Sequence, residues 1–420
     1  MKIRPAGVIF AVILATTCAF GQEPPAPATT TTPPAAPVAT PSPQAEPQPV
    51  PPLSTVASSG YDRRDALPNI YLADGRASIR LRKLIRNVLF ESQIDYKFVT
   101  GDISTFLRYK YYAHDFSYKV GVFDTISFGA IGSHTDEFER VRGGLLLIEV
   151  PRDYNHRYFA LLQDDRLTFG DTTRVDNRKN NIYSKLGYQY GTEFDEQLNA
   201  IVGESRGRLI PVLTVFRELG PQKFSYAAAL TQAGRVGTGD YKYTKLEIGA
   251  LRRWDVSPTS FVVTRAHVGT FLTKEFLCKN TPTTPPVECY SIPGYEMFSL
   301  GGREALRSLA TSNSVSNGTN ELHVTNEYFV PMFRNRDYRF KALHFNTAYA
   351  IGYVGTGNAS FAARDLFKTR DFAVDAGLGV ETAMTVRDFD VLVILLYAHT
   401  LRAPDARKSN KVQFSIHTVR

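Results

Sequence analysis

The sequence predicts an all-β protein: a transmembrane antiparallel β-barrel of about 16 strands, preceded by a disordered Pro-rich linker. Three observations carry the prediction. From about residue 100 onward the side chains alternate with a period of two, and Tyr and Phe collect at the ends of the alternating runs. Beyond the N-terminus no stretch reaches the roughly 20 apolar residues of a membrane-spanning helix. A barrel of this kind escapes hydropathy because lipid-facing and lumen-facing positions alternate along each strand.

In chain order, Lys2 and Arg4 precede an apolar run from Ala6 to Ala15, and Ala19-Phe20-Gly21 supplies the small residues of a cleavage site. Residues 1–21 therefore read as a signal peptide cut after Gly21. Cys18 admits a lipoprotein alternative, which Thr16-Thr17 fit poorly. Residues 22–60 are Pro, Ala and Thr with almost no charge, too little apolar surface to offset ordering, and read as an extended periplasmic linker. Residues 61–95 hold either a basic amphipathic helix or a first strand. In Arg76 to Glu91, Leu81, Leu84, Ile85, Val88 and Leu89 recur at helical spacing, and Arg76, Arg80, Arg82, Lys83 and Arg86 cover the other side. The barrel is assigned to residues 96–420.

Within that span the alternation is explicit. Leu107, Tyr109 and Tyr111 oppose Arg108 and Lys110; Tyr118, Val120 and Val122 oppose Ser117, Lys119 and Gly121. Farther on, Val262, Thr264, Ala266 and Val268 oppose Arg265, His267 and Gly269; Leu343, Phe345, Tyr349, Ile351 and Tyr353 oppose His344, Asn346, Ala348 and Gly352. A sandwich of two packed sheets would alternate too. Aromatic girdles at strand ends favour the barrel, whose closure leaves no unpaired edge in lipid.

The formal net charge of +8 and a pI near 9.2 call for an anionic neighbour. For an exported chain that neighbour is outer-membrane lipid and lipopolysaccharide, with no nucleic acid, and part of the excess lines the lumen or sits in solvated loops. Cys278 and Cys289, in one Pro-rich loop of an exported chain, predict a disulfide; two residues are too few for a metal site, and no metal or cofactor is expected. Gly203-Glu204-Ser205-Arg206-Gly207 matches the nucleophile-elbow pattern, but a β-like segment with Pro211 follows where a helix is needed. The eight His residues show no paired spacing that picks out a base, so no catalytic residue is assigned and the chain reads as a non-enzyme.

Phe298 to Phe333 organises the rest. Leu300-Gly301-Gly302, Leu306-Arg307 and a strand from Glu321 to Pro331 resemble the bacterial surface antigen family, the barrel of BamA-like assembly factors, TamA-like proteins and two-partner secretion transporters. There a Leu-Gly-Gly turn leads into a loop with Val/Leu-Arg-Gly-Tyr/Phe that folds back into the lumen. The 113 residues after Arg307 leave room for the strands the family places there. Here Ser308-Leu309 replaces the Gly-aromatic pair. The resemblance implies an acidic partner for Arg307 on a following strand; the in-phase position is Asn346, and Asp375 or Glu381 would restore the charge. The 39-residue linker is too short and too polar to fold into a POTRA module.

The resemblance implies insertion or translocation of proteins or lipids at the bacterial outer membrane, with outer-membrane or secreted proteins as clients. A passive anion-preferring channel is the alternative, and an outer-membrane hydrolase a distant third.

Overall fold

A strand with one apolar and one polar face needs two different surroundings, and this chain supplies them by curving a single sheet around its polar side. The computed structural model describes residues 69–419 apart from 74–75, 98–101, 114, 128–137, 153–155, 170–177, 192–197, 199–200, 202–223, 235–238, 273–291, 294–295, 302–304, 310–316, 335–337, 341–342, 387–388 and 404–409. The signal peptide, the linker, Cys278, Cys289, Ser205 and Gly302 therefore lie outside the described residues.

The strands are β1 (Asn69–Ala73), β2 (Arg76–Ile85), β3 (Val88–Lys97), β4 (Asp102–Tyr112), β5 (Ser117–Ser127), β6 (Phe138–Pro151), β7 (His156–Phe169), β8 (Arg178–Tyr190), β9 (Phe224–Ala233), β10 (Thr244–Asp255) and β11 (Phe261–Phe271). Then come β12 (Phe298–Ser299), β13 (Asn317–Gly318), β14 (Asn320–Phe333), β15 (Tyr338–Phe340), β16 (Leu343–Ser360), β17 (Ala373–Val386), β18 (Phe389–Arg402) and β19 (Asn410–Val419). Each strand from β1 to β11 pairs antiparallel with the next; β11 continues to β14, β14 to β16, and β16 onward to β19. That makes 16 strands in the main circuit among the described residues, with β15 a short addition to β16 and β12–β13 a separate ladder.

The first and last strands meet over three pairs only, Tyr71↔His417, Leu72↔Ile416 and Ala73↔Ser415. The neighbouring β18–β19 ladder has ten pairs, from Asp390↔Val419 to His399↔Asn410. The seam is short because β1 itself has five residues.

Residues 76–91 form neither a helix nor one strand. They cover β2, a two-residue turn in which Arg86 takes a left-handed φ of 54°, and the start of β3. Leu81 and Ile85 stand four residues apart, a spacing in phase with a period of 2 as well as with 3.6, so the apolar positions alone could not separate the two. Pairing separates them: Ile79, Leu81, Phe90 and Ile94 face outward, while Ser78, Arg80, Gln93 and Asp95 are buried on the inner side. The barrel accordingly begins at β1, not at residue 96.

Outward positions carry exposed apolar residues around the circuit, among them Leu107, Val122, Leu186, Val354, Leu378 and Val412. So large an uncovered apolar surface fits lipid contact and not water. At the end of the sheet that carries the β4–β5 and β6–β7 turns, aromatics of β4, β5, β7, β8 and β9 form a belt. Ring centroids lie 6.0 Å apart for Tyr109 and Tyr118, 5.2 Å for Tyr158 and Tyr188, and 5.3 Å for Tyr190 and Tyr226. This is the interfacial girdle the sequence predicts, since a phenol presents an apolar ring to lipid and a hydroxyl to water.

β16 departs from the simplest reading of its alternation. A bulge between Phe345 and Thr347 shifts its register, and beyond it Tyr349, Ile351 and Tyr353 point inward and are buried. The large face of β16 therefore lines the lumen, where it meets the segment that follows β12.

Candidate functional site

The segment after β12 folds into the barrel. Its neck is the β12–β13 ladder, Phe298↔Gly318 and Ser299↔Asn317, which brings the two ends of the intervening loop together. Inside, the Leu306 N–H donates to the Leu300 carbonyl (2.8 Å) and the Leu309 N–H to the Leu306 carbonyl (3.2 Å), folding the loop on itself. Leu300, Leu306 and Leu309 cluster with Ala373 at the start of β17 and are buried. This apolar knot satisfies the hydrophobic part of the docking, and the polar part is carried by five strands.

Arg307 is the centre of that polar part. Its guanidinium pairs with Glu327 on β14, and the other oxygen of Glu327 takes Arg265 of β11. Arg307 also lies over the Tyr353 ring of β16, 4.6 Å from its centroid. The Arg307 N–H donates to the Tyr353 hydroxyl (3.3 Å), and Gln413 of β19 donates to the Arg307 carbonyl (3.4 Å). Ser308 donates its N–H to Asp375 Oδ2 on β17 (2.9 Å), and Thr400 of β18 donates to the Ser308 hydroxyl (2.8 Å). The Tyr353 hydroxyl stands 2.8 Å from Asp375 Oδ1 and 2.9 Å from the Ala305 carbonyl oxygen, one proton serving two acceptors.

The predicted partners divide accordingly. Asp375 holds the loop through the Ser308 N–H. Glu381 lines the same small cavity as Arg307 and Glu327. Asn346 instead donates to Thr385 (3.1 Å), because the β16 bulge sits beside it and places it near the beginning of the strand. Glu327, which the sequence reading passed over, supplies the paired carboxylate. Its signal was present: Glu321, His323, Thr325 and Glu327 occupy every second position of β14 and are all buried. Tyr353, the direct partner of Glu327 across the β14–β16 ladder, supplies an aromatic ring against Arg307 where the loop itself has none.

Close approach favours a glycine here. A Cβ on Gly355 would stand 2.6 Å from Asp375 Oδ1 and 2.8 Å from Leu306 Cδ2, so a side chain there would press on both groups. Beneath Arg307 the cavity measures about 20 Å³. That is room for about one water molecule. Around the same barrel Phe106, Phe123, Phe159, Leu251, Val263 and Phe329 also bury their side chains on the inner side. An open aqueous pore would leave such residues exposed, and here they are covered.

No protein-family model matches the sequence, and no curated protein matches it. Solved structures do. BamA from Haemophilus ducreyi lacking POTRA domains 1–3 superposes with a TM-score of 0.55 at 12% identity, over 84% of this chain and 69% of that one. CdiB from Acinetobacter baumannii gives 0.52 at 13% identity, and CdiB from Escherichia coli 0.55 at 10%. Each is matched over 84% of this chain, which spans less than two thirds of theirs, 59% and 62%. At such identity the likeness is one of fold, and the chain has the transmembrane barrel fold of BamA and CdiB.

Proposed function

We propose that this protein acts in insertion or translocation of proteins or lipids at the bacterial outer membrane, without covalent chemistry. The observation that carries the reading is the lumen filled by the loop at Arg307, held by five strands, next to a β1–β19 seam of three pairs. A filled lumen leaves the seam as the weakest part of the wall, since opening it breaks three pairs, where the β1–β2 ladder has five and the other ladders of the circuit eight or more. The surface-antigen resemblance of Leu300-Gly301-Gly302 and Leu306-Arg307 points the same way, and it names outer-membrane or secreted proteins as clients. In this reading the short turns and the aromatic belt face the periplasm.

Lipid is the second partner. On the outer face of β5–β8, at the end away from the aromatic belt, Arg140, Arg142, Arg166 and Arg178 stand with Asp164 around a shallow groove, and Asp124 pairs with Arg140 and Arg142 beside it. Arg142 and Arg166 are mostly exposed there. Such a band above an apolar surface suits the phosphates of lipopolysaccharide.

A disulfide lock tests the reading. Leu72→Cys with Ile416→Cys bridges the seam at one of its three pairs. Oxidation should abolish the growth or secretion phenotype that the wild-type gene restores, and reduction should bring it back. Undiminished complementation by the locked barrel would overturn the proposal. Planar bilayers separate the passive channel: the wild type should show no steady conductance, and a constant anion-preferring current would favour the channel.

A further inference from the structure

One cluster of ligand-type side chains takes no part in holding Arg307. His267 of β11 and His323 of β14 are direct partners across the ladder, and Glu321 stands two positions from His323 on the same inner face. Their ligand atoms all lie within 4.8 Å of one another, and all three side chains are buried. Glu321 turns one oxygen to each ring: Oε1 is 2.7 Å from His323 Nδ1, and Oε2 is 3.4 Å from His267 Nδ1. Among the described residues, Nδ1 of His267 makes no hydrogen bond, although the ring is 95% buried and its nitrogen faces the cluster.

We propose that His267, Glu321 and His323 bind one divalent transition-metal ion of the Zn²⁺ type. Two imidazoles and a carboxylate form a donor set that such ions accept, and hard ions such as Ca²⁺ or Mg²⁺ do not favour imidazole. Bonds of about 2.0–2.1 Å in a tetrahedral shell set ligand atoms roughly 3.3 Å apart. The separations of 2.7 and 3.4 Å bracket that value and all ligand atoms lie within 4.8 Å of one another, so binding draws the three side chains together about one point. Three protein ligands leave one position for water.

The site's surroundings give the ion a structural consequence. Phe298, at the neck of the lumen loop, lies 5.9 Å from the His267 ring. It also rests on Gly269, where a Cβ would collide with its ring. On the other side a Cβ on Gly357 would meet both His323 and Leu300. Ion binding would therefore stiffen the wall on which the root of the loop is seated, while Glu327 holds its tip. The rival occupant of the cluster is a proton shared between Glu321 and the two rings.

The full chain, folded in detergent and stripped with chelator, decides between them. Titration with Zn²⁺ alone should give one ion per chain and a higher unfolding temperature. Co²⁺ in its place should give the visible d–d bands of a four-coordinate imidazole site. His267→Gln and Glu321→Gln should weaken Zn²⁺ binding by about 100-fold or more and lose the thermal shift. His399→Gln, on the outer face of β18, should change neither. Equal Zn²⁺ binding by folded His267→Gln and wild type would overturn the proposal. If both variants fail to fold, the wild type decides alone: saturation at one equivalent with the Co²⁺ bands supports the site, and their absence sinks it.

Discussion

Two Arg–Glu–Arg clusters lie on the inner wall of this barrel, and they serve different ends. In the first, Glu91 of β3 sits between Arg80 of β2 (3.5 Å) and Arg108 of β4 (2.7 Å). All three belong to adjacent strands, so the cluster ties wall to wall. In the second, Glu327 of β14 sits between Arg265 of β11 and Arg307, and only two of those residues belong to the wall. The third is on the lumen loop. The same ionic chemistry is thus a rivet in one half of the barrel and a latch in the other. What differs is where the third residue is attached, and that decides whether breaking the cluster weakens the barrel or opens it.

The sharpest way to break this comparison is to remove each central carboxylate. Glu91→Ala and Glu327→Ala each remove the carboxylate shared by two buried guanidiniums, and each should cost about 3–5 kcal/mol. Thermal unfolding of the detergent-folded barrels measures that loss. Planar-bilayer conductance should then separate the pair: Glu327→Ala conducts, and Glu91→Ala, though destabilised, stays silent. Equal conductance would mean that the latch is no different from the rivet.

Steric displacement tests the latch without touching its charges. Gly355→Leu places a side chain where Leu306 and Asp375 stand, and overpacking of this kind costs about 1–3 kcal/mol. The variant should conduct while its mobility shift on heating, which reports a folded barrel, is retained. A smaller effect is expected from Tyr353→Phe. It removes the hydroxyl between the Arg307 N–H and Asp375, and should lower stability by about 1 kcal/mol with brief, intermittent openings. Smallest of all, Asn346→Ala should fall within about 0.5 kcal/mol of wild type and leave conductance unchanged. Its amide bonds Thr385 and not the loop. A large effect at Asn346 would restore the partner that the sequence pattern proposed.

Much of the wall was legible because a strand writes its two faces into alternate residues. Leu107, Tyr109 and Tyr111 against Arg108, or Val120 and Val122 against Gly121, separate the two faces, and in these strands the apolar face is the outer one. The lumen loop was legible as well, from Leu300-Gly301-Gly302 and Leu306-Arg307. Its partner was not. Phase counting carried the choice to Asn346, but a bulge of one residue in β16 resets the phase, and no residue type announces that bulge. Glu327 was not legible as the partner because it lies 20 residues after Arg307 on the strand directly after the loop, and nothing in the spacing shows that the loop folds back onto that strand. The candidate metal ligands escaped for a related reason: 56 residues separate His267 from His323, and only the β11–β14 register makes them neighbours.

By itself the sequence determined the strand alternation, the aromatic belt, the approximate strand number and the identity of the loop. Each of these depends on residues close together in the chain. The tertiary structure alone decided that residues 76–91 are a hairpin, that Glu327 receives Arg307, that Tyr353 beside Glu327 sets its ring under Arg307, and that β1 meets β19 over three pairs. The physical reason is that these depend on register. Inter-strand hydrogen bonds look alike at every offset, so side-chain packing around the whole circuit must choose among them.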